Sequence, residues 1–208
     1  LMIPEGGQRL RAFAAMLPPS TGLLLCGRNE ERLSQAQDEL ARSGRVVETI
    51  RADLSRPEEV ASVVEHAEAF EVDLLINNAG VGELGAILDN SVEAETATVM
   101  VNVVAVATIT RALLPGMLER ARRDGRKAGI IIVSSAAAFA PVPYFSTYAA
   151  SKAFDLHYGE GLAEEMRGQP VSVLVVCPGA TRTAFGGRAG YEGGLPGAAE
   201  PADVARRA

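Results

Sequence analysis

The sequence is poor in sulfur, histidine and lysine, and each scarcity removes a class of function. Its cysteines, Cys26 and Cys177, each follow an apolar run. That placement predicts buried thiols at strand ends and argues against a bridge or a metal pair. A reducing, cytoplasmic setting and no metal site are expected. Positive charge is also scarce, with 20 Lys and Arg against 26 Asp and Glu and a net charge of −6, so no broad basic surface exists for nucleic-acid backbones. The local run Arg120, Arg122, Arg123, Arg126 and Lys127 reads as a solvated helix end, because cations favour helix C-termini. No apolar run approaches the ~20 residues that cross a bilayer. The N-terminus lacks the charged-then-apolar order of a secretory signal, and no membrane partner is expected. His66 reads as an exposed helix residue, and His157 as a surface or interface residue rather than a catalytic one.

What remains is a chain of 208 residues, 48% hydrophobic, long enough for one domain with a substantial core. Short apolar runs alternate with segments of helical spacing, the pattern of a parallel sheet covered on both faces. Strands are predicted at 22–27, 46–52, 72–77, 129–134 and 171–177. Between them, Asn29 caps a helix that repeats Leu33, Ala36 and Leu40 and stops at Gly44. Pro57 starts another that runs to about Ala69. The segment from Ser91 to about Arg123 is long and helical, with a bend expected at Pro115. No good strand precedes the helix "QRLRAFAAML", and the closing "PADVARRA" reads as the first turns of a helix.

The stretch "TYAASKAF" (147–154) sets Tyr148 and Lys152 four residues apart, on one helical face. A phenol ionises near pH 10 and is a poor acid–base group near neutrality, but an ammonium beside it favours phenolate. The pair alone also fits two neighbours on a helix surface. Upstream, "GIIIVSS" ends in Ser134 and Ser135, and ligands of open α/β sheets bind beyond the carboxyl ends of strands. The intervening segment carries Pro141 and Pro143 and is predicted to be a loop.

With these residues the chain resembles the short-chain dehydrogenase/reductase family, whose members carry Ser and then Y-x-x-x-K on a Rossmann-type sheet. "NNAG" (77–80), "VMVNVVA", "RADLS" and "CPGATRT" (177–183) resemble its other motifs, in order, from about Gly22 to Thr183. The resemblance implies a doubly wound α/β fold of three αβα layers, with residues 1–208 as one dinucleotide-binding and catalytic domain. It implies Tyr148 as general acid/base, Lys152 as the ribose-binding group that lowers the phenol's pKa, Ser135 as the holder of the substrate oxygen, and Asn102 as part of the proton path. Ser135 is preferred to Ser134 by its thirteen-residue spacing to the tyrosine; Ser134 is left to satisfy backbone. For Asn102, an amide bonding its own helix is the other reading. Asp53 and the backbone of Leu54 would meet adenine, Asn78, Ala79 and Gly80 the adenosine ribose, and Pro178, Gly179, Thr181 and Thr183 the nicotinamide and pyrophosphate.

A carboxylate at the end of the second strand would select NAD. Here stands Arg28, whose planar fork suits a 2′-phosphate, so NADP is expected ahead of NAD. The family's glycine-rich turn is replaced by "IPEGGQRL", where Gly6 and Gly7 do not fit the spacing. Either residues are missing from both ends of the sequence, or the phosphate-binding turn has been lost. The first reading gives an oxidoreductase that interconverts a ketone or aldehyde and an alcohol. The second gives a non-catalytic relative used for binding or dimerisation. Helices 91–123 and 145–168 correspond to those through which the family forms homodimers or homotetramers. The substrate is a small molecule, its pocket made apolar by Phe139, Pro143 and Phe185.

Overall fold

Continuous apolar runs pair into one parallel sheet in the computed structural model, which describes residues 2–3, 8–42, 44–182 and 197–207. In chain order the strands are β1 (Met2–Ile3), β2 (Leu23–Gly27), β3 (Val47–Arg51), β4 (Leu74–Asn77), β5 (Ala128–Val133) and β6 (Val171–Val176). The helices are α1 (Gln8–Met16), α2 (Glu30–Ala41), α3 (Pro57–Ala69), α4 (Val92–Val99), α5 (Val106–Asp124), α6 (Ser146–Glu165) and α7 (Pro201–Arg207).

The strand order is β3-β2-β1-β4-β5-β6, the doubly wound arrangement in which chain direction across the sheet reverses between β1 and β4. Ligands bind at that reversal. The expectation of no strand before α1 is therefore corrected: Met2 pairs with both Leu25 and Ile76, and Ile3 with Asn77. Two residues were too short a run to show the strand pattern, and the sheet alone reveals them. Gly6, Gly7, Thr183 and Phe185 lie outside the described residues.

Alternate strand residues feed opposite layers, as the two-residue period of a strand requires. Leu24, Cys26, Leu75, Ile130 and Ile132 pack with Val63 of α3 and with Ile109, Leu113 and Met117 of α5. Leu23, Leu25, Ile76 and Val133 face the other way, onto Phe13 of α1, Leu33 and Ala36 of α2 and Ala205 of α7. Asn29 caps α2 by accepting from Arg32 N at 2.8 Å, and α3 opens on Pro57. Both match the sequence reading.

The long helical segment departs from it. The helix continues through Pro115, and an irregularity the sequence did not suggest falls at Met100–Ala105, a π-helical segment between α4 and α5. Such wide turns break the regular ladder and often mark functional sites. By length and composition 92–124 is apolar enough to cross a bilayer, which corrects the expectation that no such run exists. Its apolar character is used inside the protein, where Val101, Val106, Ile109, Leu113 and Met117 are buried. Arg120, assigned from sequence to a solvated helix end, bonds the Val72 carbonyl at 2.5 Å and pairs with Asp73 at 3.4 Å. Its four helix-end companions are exposed.

Candidate active site

Tyr148, Lys152 and Asn102 border the loop 80–82 beyond the carboxyl end of β4, and Ser135 stands two residues past the end of β5. The first two lie in the opening turns of α6, whose start is set by a loop in which Tyr144 adopts φ 64. That left-handed conformation is uncommon for a side-chain-bearing residue. The Tyr144 carbonyl is held by the N–H of Gly85 at 2.8 Å, so the loops after β4 and β5 are tied together.

Tyr148 is half-buried and stacks on Phe145, with ring centroids 4.3 Å apart. Lys152 is only 3% exposed. Its Nζ donates to the Val133 carbonyl at 3.0 Å and to Asp155 Oδ2 at 2.9 Å, and stands 5.9 Å from the Tyr148 ring centroid. An ammonium at that distance is attracted to the ring face. Two glycines leave room for the pair. A Cβ on Gly82 would lie 2.7 Å from Tyr148 Cδ2, and one on Gly80 would lie 3.4 Å from Lys152 Nζ.

The two serines have different surroundings. Ser134 is buried and donates from Oγ to the Lys152 carbonyl at 2.7 Å. Ser135 is half-buried and caps the short 3-10 turn Ala136–Phe139, accepting from Ala137 N at 3.2 Å.

Asn102 sits in the π-helical segment, fully buried, but its amide does not bond its own helix. Oδ1 accepts from Val81 N at 2.9 Å, and Nδ2 donates to the Val81 carbonyl at 2.8 Å and to Ser151 Oγ at 2.9 Å. Ser151 in turn donates to the Tyr148 carbonyl at 2.7 Å. The asparagine thus braces the loop following "NNAG" against the helix bearing the tyrosine.

The described residues among those expected to meet the cofactor follow the strands at the same end of the sheet. Asp53 follows β3 and uses Oδ1 to accept from Ser55 N at 3.0 Å and Ser55 Oγ at 2.8 Å. Burial pushes its carboxyl up, but the Ser55 hydrogen bonds and the charges of Arg28 and Arg56 outweigh that, leaving it below its ordinary value. Leu54, Asn78 and Ala79 are buried, and Gly80 is half-buried. Pro178 accepts from Ala136 N at 2.8 Å, which joins the loops after β5 and β6. Gly179 is exposed, and Thr181 donates to its carbonyl at 3.1 Å. Arg28 is exposed at the exit of β2.

A family model described as short chain dehydrogenase matches residues 15–191. The chain belongs to the short-chain dehydrogenase family. Among its relatives, Dehydrogenase/reductase SDR family member 7B of Bos taurus is 34% identical over 169 residues, 77% of this chain and 50% of that protein. Oxidoreductase UcpA of Escherichia coli K12 is 34% identical over 154 residues, 73% of this chain and 57% of that protein. The chain thus spans about half the length of the curated relatives it matches. Among solved structures, a short-chain dehydrogenase from Sphingobium yanoikuyae in complex with NADPH superposes with a TM-score of 0.87 at 29% identity, covering 96% of this chain and 78% of the other. One from Burkholderia phymatum in complex with NAD gives 0.80 at 26% identity, covering 96% and 79%.

For a short-chain dehydrogenase the described residues fit a nicotinamide dinucleotide. The absent Cβ of Gly80 leaves space beside the Lys152 ammonium. An ammonium has three donors, of which Val133 and Asp155 take two, so one remains for a ribose hydroxyl. Asp53 has a second carboxylate oxygen as an acceptor.

Sequence reasoning missed three members of this short-chain dehydrogenase site. Ser151 lies inside the quoted stretch, yet its bond to Asn102 spans 49 positions. Asp155 follows Lys152 by three residues, a helical-neighbour spacing that was the available signal. Asn77 donates to Thr110 Oγ1 at 2.9 Å, tying the end of β4 to α5. Among the described residues no group of His, Cys, Asp and Glu is arranged to hold a metal.

Proposed function

We propose that the protein is an NADP(H)-dependent oxidoreductase that interconverts a ketone or aldehyde and an alcohol. The observation that carries this reading is the half-buried Tyr148 phenol with the buried Lys152 ammonium against its ring, at the mouth of a doubly wound sheet. The nicotinamide, when bound, accepts or supplies the hydride. Tyr148 moves the proton to or from the substrate oxygen, and the Ser135 hydroxyl holds that oxygen in line with it. Lys152 binds the ribose with its remaining N–H. Asn102, with both Nδ2 donors used by Val81 and Ser151 and its Oδ1 accepting from Val81 N, keeps the loop and helix in register beside the proton path. Phe139 and Pro143 are exposed beside the site and favour an apolar substrate. Homodimers or homotetramers built on α5 and α6 belong to the same reading.

The assignment is tested by carbonyl-dependent NADPH oxidation. Tyr148→Phe is expected to lower kcat by about 10²–10⁴-fold, the contribution of a positioned acid or base, with NADPH binding retained. Equal rates would remove the phenol from the mechanism. The cofactor preference rests on Arg28 at the β2 exit. Arg28→Ala is expected to raise the KM for NADPH about tenfold while leaving that for NADH unchanged; a parallel change in both would remove the 2′-phosphate contact.

A further inference from the structure

A second buried charge accompanies Lys152. Asp155, one turn further along α6, is 1% exposed and gives its Oδ2 to the lysine at 2.9 Å. Its Oδ1 is buried with no hydrogen-bond partner. A carboxylate placed so deeply, with one oxygen unsatisfied, is costly unless it is paired, and its partner is the ammonium at the centre of the candidate site. We propose that Asp155 is a positioning residue, fixing the Lys152 ammonium between its own Oδ2 and the Val133 carbonyl so that the remaining N–H faces Tyr148 and the space beside Gly80.

The geometry supplies both anchors. Val133 belongs to β5 and Asp155 to α6, so the ammonium is held from two elements, and Ser134 locks those elements by bonding the Lys152 carbonyl. A lysine stem has four rotatable bonds and would otherwise sample many directions. The groups facing the carboxylate are few. Lys152 on α6 is its partner, Cys177 after β6 lies near enough to feel both it and the exposed Glu160 of α6, and neither β5 nor the π-helical segment adds a charge. Burial raises the Asp155 carboxyl more than Lys152 lowers it. Acidification therefore protonates Asp155 above the ordinary 3.8 and releases the ammonium.

This inference rests on the oxidoreductase reading, but one of its tests does not need turnover. Lysine occurs only at 127 and 152, so ¹³Cε-lysine labelling gives two signals, assigned through Lys127→Arg at an exposed position. On acidification of the wild-type protein the Lys152 signal is expected to step as Asp155 takes up its proton, while the Lys127 signal does not. In Asp155→Asn the step disappears and kcat for NADPH oxidation falls about 10²-fold, the scale of a misplaced catalytic group. Asp155→Glu, which keeps the charge, recovers more activity than Asp155→Asn. A Lys152 signal with no acid step in the wild type would overturn the proposal even if the variants do not fold, and so would an Asp155→Asn enzyme with wild-type kcat. Absence of any NADPH oxidation by the wild type would instead overturn the oxidoreductase reading and leave the lysine signals to decide the role of Asp155.

Discussion

Asp53 is pulled in opposite directions by its neighbours. Burial raises its carboxyl, whereas the two Ser55 hydrogen bonds and the nearby arginines bring it below the ordinary 3.8. A carboxyl lowered in the folded state binds fewer protons there than in the unfolded chain. Its contribution to stability is therefore fully present above the ordinary value and is lost as pH falls through the lowered one. Asp53→Asn is expected to flatten the acid-side loss of stability, measured as urea midpoints from about pH 6 to about pH 3; an unchanged slope would show that Asp53 is not held in its charged form. The turn carrying Asp53 was visible in "RADLS", because the residues that bend the chain are adjacent. The roles of Ser151 and Asp155 were not visible. Each depends on a partner brought in by folding or on a depth of burial that spacing does not encode.

At the scale of elements, α6 is set by how closely it approaches the sheet. Gly159 permits this approach, since a Cβ there would stand 2.2 Å from Val175 Cγ2 and 3.2 Å from Ile132 Cδ1. Both contacts are with strand side chains whose backbones are fixed by pairing. Gly159→Ala is expected to destabilise the protein by roughly 1–3 kcal/mol, the usual cost of overpacking. Adding Val175→Ala should return part of that loss, and a denaturation cycle over the single and double variants measures the coupling. Five strands and the helices between them were legible because long apolar or periodic runs are local properties. The two-residue β1 was not, since its identity comes from pairing with strands on both sides. The irregularity of the long helix was assigned to Pro115, the residue with a known local effect. The π-helical irregularity lies at Asn102, where the amide reaches out to Val81.

Across the whole molecule, the apolar run 92–124 illustrates why composition and fold must be weighed together. By length and composition it could cross a bilayer, yet Val101, Val106, Ile109, Leu113 and Met117 of the run are buried in the core. The parallel sheet was anticipated from the alternation of strand and helix, the doubly wound fold from the family resemblance, and the motif sequence located the site at the carboxyl ends of the strands. What the order cannot convey is how the ends are knotted together. Ser134 bonds the lysine's main chain while that lysine's side chain bonds Val133, so β5 and α6 are cross-tied twice within two positions. Amide protons in that strand and that helix should therefore exchange with deuterium through one shared opening rather than by separate fraying. Whatever loosens the lysine at the centre would unfasten the middle of the molecule at the same time.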